Sequence, residues 1–113
     1  LGAQTKGVTL EDFVNNLDVA LKKMDSLIVL EPKNPKFHLL KAKYLASKGG
    51  LANRLRSIAD FGAALDYCPL TDNSLRCEIL TERGITFSFL NESDNAIGDY
   101  TEILKINPNA HRV

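Results

Sequence analysis

Residues 96–108 read AIGDYTEILKINP, and this stretch decides the fold because its pattern occurs twice more, as SIADFGAALDYCP over 57–69 and ALKKMDSLIVLEP over 20–32. Each copy begins with a small residue (Ala20, Ser57, Ala96) and has a large apolar one four positions on (Met24, Phe61, Tyr100). An apolar residue follows three further (Leu27, Ala64, Ile103), and a proline five beyond that (Pro32, Pro69, Pro108). Neighbours keep the register: Leu21, Ile58 and Ile97 directly follow the small residue, and Leu30, Tyr67 and Ile106 stand two before the proline. Steps of four and three lie on one face of an α-helix. The small residue admits another helix at close range, the large one fills the space beside it, and the proline stops the helix. The prolines are 37 and 39 residues apart, so each unit has room for a pair of helices.

Outward from these copies, Pro, Gly and Asn/Asp/Ser clusters divide the chain into five segments of helical period. The first runs from Leu10 to Leu30 with Thr9 as N-cap and Glu11 and Asp12 in its first turn. The second runs from Lys36 to Lys48, between Pro35 and Gly49-Gly50, and the third from Ala52 or Asn53 to Tyr67. Asp72, Asn73 and Ser74 offer caps for a fourth over Leu75–Leu90, and Ser93 or Asp94 caps a fifth ending near Ile106. No segment alternates with period two, so the fold class is all-α.

Among 113 residues, 14 Lys and Arg balance 14 Asp and Glu, which argues against the overall basic field of a dedicated nucleic-acid binder. The balance conceals polarity. Residues 1–32 carry −2, 33–56 carry +7 with no acidic residue, and 57–113 carry −5. The longest aliphatic run, Leu27-Ile28-Val29-Leu30, is far short of the ~20 residues that cross a bilayer. Cys68 and Cys77 have no metal-ligand spacing with His38 or His111 and read as reduced thiols, which suggests an intracellular, cytoplasmic protein. The opening LGAQTKG has no targeting pattern. No Ser-His-acid set, glycine-rich phosphate loop or metal cluster is legible, so no cofactor and no enzymatic activity is expected.

Leu80-x-x-Arg83-Gly84-x-x-Phe87, followed by Ala96-x-x-x-Tyr100 and Pro108, resembles the tetratricopeptide repeat, whose signature over 34 residues is W-x2-L-G-x2-Y, A-x3-F and P. The likeness is gap-free over 77–110. It is looser over 34–69, where Phe37-x-x-Leu40-Lys41-x-x-Tyr44 has lysine in the glycine position and four extra residues follow around Ser47–Gly50. A partial unit covers 10–32, making about two and a half repeats in one domain over 1–113. The resemblance implies a right-handed α-solenoid of antiparallel helix pairs, and suggests that the chain is a segment of a longer array. Such units cover one another's apolar faces, so uncovered ends are expected to self-associate, in a salt-sensitive way because the basic middle and acidic C-terminal unit attract.

The resemblance also implies an interaction scaffold whose first helices line a concave groove for a peptide or partner helix. Carried over here, the groove residues are His38, Leu39, Ala42, Leu45 and Ala46 from one unit, and Glu78, Thr81, Glu82, Ile85, Ser88 and Phe89 from the next. Leu39, Leu45, Ile85 and Phe89 are equally readable as core. Some similar proteins hold the acidic C-terminal tail of heat-shock chaperones with basic groove residues. Glu78 and Glu82 stand in their place and repel such a tail, so the expected partner presents apolar side chains flanked by Lys or Arg. Two other readings remain: an architectural segment that binds nothing itself, and a nucleic-acid module using Lys33 to Arg56. The basic residues of that stretch fall on opposite sides of the Phe37-Leu40-Tyr44 stripe, which disfavours the latter. No membrane partner is expected.

Overall fold

The computed structural model describes residues 18–109. All regular structure in this range is α-helical: α1 (Val19–Leu30), α2 (Pro35–Lys48), α3 (Leu51–Tyr67), α4 (Asn73–Phe89) and α5 (Ser93–Ile106). The expected all-α class holds. Thr9 and residues 110–113, with His111, lie outside the described residues.

Caps set the boundaries and correct two expectations. The chain is non-helical at Asp18 (φ −89°, ψ 66°), so α1 does not continue a single helix from Leu10. Asp18 accepts a hydrogen bond from the Leu21 amide at 3.1 Å, meeting one of the orphan donors of a helix start. Asn34 does the same for α2 through the Lys36 amide at 3.0 Å, with Pro35 in the first turn. Of the three candidates before α4, Asp72 is the cap, bonded to the Leu75 amide at 3.1 Å. Before α5 the N-cap is Glu92, without a side-chain bond, rather than Ser93 or Asp94, which are already helical. Gly49 (φ 75°) and Gly50 (φ 83°) both adopt left-handed backbone, and this reverses α2 into α3.

Packing follows chain order. α1 lies against α2, α2 against α3, α3 against α4 and α4 against α5, while α2 also touches α4. The core is built from Leu39 and Ala42 of α2, Phe61 and Ala64 of α3, Cys68, and Leu75 and Ile79 of α4. The repeated face is best realised in α3, where Ser57, Phe61 and Ala64 are all fully buried. Ser57 reconciles its hydroxyl with burial by donating to the Arg54 carbonyl at 2.7 Å. In α5 the small residue Ala96 is buried against α4. In α1 Met24 is buried and Ala20 exposed.

Polar contacts also join neighbouring helices. Arg83 of α4 donates from Nε and Nη2 to the two carboxylate oxygens of Asp99 in α5, at 2.9 and 2.7 Å, and Asp99 is buried. At the other end, Asp18 accepts from Lys48 Nζ and, at 2.7 Å, from the Tyr44 hydroxyl. The Lys48 and Tyr44 donors, in that order, hold the Asp18 carboxyl down at about 2, and Asp18 raises both partners in return. Cys68 and Cys77 are free thiols, and burial pushes the Cys68 thiol up. Among the described residues no helix is long and apolar enough to cross a membrane.

Candidate functional site

Where α2 meets α4, the C-terminal halves of the two helices leave a concavity of about 270 Å³, closed at one side by Arg54 from the first turn of α3. Glu82, Ile85 and Phe89 are spaced three and four apart, so they form one stripe along α4. Ala46, small and half-buried on α2, faces that stripe across the concavity. The apolar surface is open to solvent: Ile85 is 42% and Phe89 64% exposed. Buried Thr86 contributes to the wall and satisfies its hydroxyl on the Glu82 carbonyl at 2.9 Å.

Charge is arranged along this stripe. Lys43 Nζ of α2 lies 3.2 Å from Glu78 Oε2 of α4, one turn before Glu82, and so bridges the two helices. Glu82 itself has no ion-pair partner among the described residues, and neither has Arg54. The Arg54 guanidinium instead lies over the Phe89 ring, 4.7 Å from its centroid. The concavity therefore has an unpaired carboxylate at one end, an unpaired cation at the other, and apolar side chains between.

The structure brings Ala46, Glu82, Ile85 and Phe89 of the expected groove residues together, with Glu78 beside them in its ion pair. It does not bring in the rest. Leu39, Ala42 and Leu45 are buried, and the core already takes up their surface. Their spacing of three on α2 is explained by packing. His38 is engaged elsewhere: its Nε2 is 2.6 Å from the Pro32 carbonyl and its ring stacks on Tyr67 at 5.4 Å. Thr81 and Ser88 are exposed but bond back to the Cys77 and Gly84 carbonyls. Lys43, Ser47 and Arg54 were not expected here. The signal for Arg54 is its place just after the Gly49-Gly50 reversal, which brings the start of α3 back beside the end of α2.

A shallower apolar depression of about 590 Å³ lies between α1 and α2, lined by Met24, Leu27, Leu40 and Tyr44, and shares Lys43 and Ser47 with the first. Three lysines of the basic stretch are paired with carboxylates: Lys41 with Asp25 at 2.8 Å, Lys43 with Glu78 and Lys48 with Asp18. No group of three or more His, Cys, Asp or Glu side chains that could hold a metal ion occurs among the described residues.

No protein-family model, no curated protein and no solved structure matches the chain.

Proposed function

We propose that the chain is a non-catalytic protein-interaction scaffold, a tetratricopeptide-like right-handed solenoid of antiparallel helix pairs, which binds a peptide or partner helix in the α2–α4 concavity. The fold reading is supported by packing that runs in chain order and by the buried small residues Ser57 and Ala96 at the repeat positions. It is supported too by the close approach of Gly84 to the Tyr100 ring, since both occupy positions of the repeat signature.

The observation that carries the binding reading is the exposed Ile85–Phe89 pair beside Ala46. Its large apolar side chains are left in solvent within a concave site, where a partner side chain can bury them. Pairing of Lys41, Lys43 and Lys48 with carboxylates leaves the 33–56 stretch less available to phosphates and favours a protein partner. The test is a peptide array probed with the wild-type protein and with Phe89→Ala. Retention of apolar peptides that disappears in the variant supports the groove. A wild-type protein that retains nothing favours the architectural reading.

A further inference from the structure

We infer that this groove selects a segment with an apolar side chain between a basic and an acidic residue, the two charges three positions apart in an extended chain. The inference rests on the groove reading above and deepens it by naming the chemistry of the partner.

The argument starts from the unpaired charges. Glu78 is neutralised across the helices by Lys43, so the carboxylate left to meet a ligand at that end is Glu82. At the other end Arg54 has no carboxylate partner among the described residues, and its planar fork rests on Phe89 with its edge donors unused by any acid. Both groups line the same concavity as Ile85 and Phe89. A ligand that covers the apolar stripe also dries these two charges, and a dried charge without a partner is costly. The best occupant therefore brings a cation to Glu82 and a carboxylate to Arg54.

Spacing follows from helix geometry. Glu82 and Phe89 are seven residues apart on α4, which at 1.5 Å per residue is roughly 10 Å. An extended peptide rises about 3.3 Å per residue, so roughly three steps cover the distance. The apolar side chain lies within those steps, over Ile85. This chemistry differs from that of an all-acidic tail, which Glu82 repels, and from that of an all-basic segment, which Arg54 repels.

The experiment uses four acetylated, amidated octapeptides: SSKALDSS, SSKALKSS, SSDALDSS and the neutral SSQALQSS. Binding to the full chain is read by titration at low salt, with circular dichroism showing each variant folded. The expected result is that SSKALDSS binds about tenfold more tightly than either like-charged peptide. Glu82→Lys shifts the preference to SSDALDSS, and Arg54→Glu shifts it to SSKALKSS. If all four peptides bind equally and Phe89→Ala abolishes the binding, the charge motif is wrong while the groove stands. If none binds, the groove reading itself is overturned and the motif with it.

Discussion

The Tyr100 ring lies across Gly84 so closely that a methyl group on Gly84 would sit 2.6 Å from Cε1 of the ring. Here α5 meets α4, and the contact ties a buried glycine of one helix to the large residue of the repeated motif in the next.

Gly84→Ala is therefore expected to destabilise the protein by about 1–2 kcal/mol. The half-exposed ring must turn aside, and that strain outweighs the roughly 1 kcal/mol that alanine gains over glycine in a helix interior. The sign should reverse in a Tyr100→Ala background, where the obstructing ring is gone and only the helix preference remains. Urea unfolding of the four proteins in this cycle checks it. A Gly84→Ala change that stabilises both backgrounds would show that the close approach is unimportant.

Arg83 and Asp99 make the second tie between these helices. Both carboxylate oxygens are engaged and Asp99 is only 4% exposed, so Asp99→Ala leaves a guanidinium facing a dry contact. We expect a loss of about 3 kcal/mol, near the lower end for a broken buried pair because Arg83 is partly solvated. Replacing both by Met and Leu should cost much less than either single change. Chemical denaturation measures all three, and additive losses would show that the residues act independently.

Asp18 gives the fold a pH-dependent end. Its folded-state carboxyl sits at about 2, against 3.8 for an unperturbed aspartate, because Lys48 and then Tyr44 donate to it. The unfolded chain binds this proton more readily, so the contribution is fully present above the unperturbed value and is lost as pH falls from about 5 towards 2. Protection of the α1 amides, relative to their intrinsic exchange rate at each pH, should fall over that window. Asp18→Asn should exchange faster at pH 6 and show a flatter pH profile. Identical profiles for the two proteins would show that the Asp18 bonds to Lys48 and Tyr44 do not hold α1.

What was legible in the sequence was whatever repeats locally. Small, large and proline positions at helical spacing mark α1, α3 and α5, and Gly49-Gly50 marks the reversal from α2 into α3. The start of α1 at Asp18 was hidden because the sequence carries a helical period, through Leu17 and Leu21, straight past it. Arg83–Asp99 spans 16 residues and two helices, so neither residue announces the other in its own segment. The groove was half legible for a related reason. A stripe at spacing three or four looks the same whether it faces core or solvent, and only the packing of the helices on one another distinguishes buried Leu39, Ala42 and Leu45 from open Ile85 and Phe89.

That ambiguity can be turned into a measurement that separates packing from binding. Leu45 is 1% exposed and Phe89 64%, although the sequence offers both as groove residues, from successive units. Leu45→Ala should cost about 2–4 kcal/mol through lost burial and a residual cavity. Phe89→Ala removes an exposed ring and its contact with Arg54, at a cost of about 0.5–1 kcal/mol. Peptide binding should reverse that order: weakened severalfold or abolished by Phe89→Ala, yet retained by Leu45→Ala under conditions where that variant is still folded. Urea unfolding and peptide titration on the same two proteins supply both readings. If Leu45→Ala lost binding while folded and Phe89→Ala kept it, the recognition surface would have to be moved from the α4 stripe to the interior face of α2.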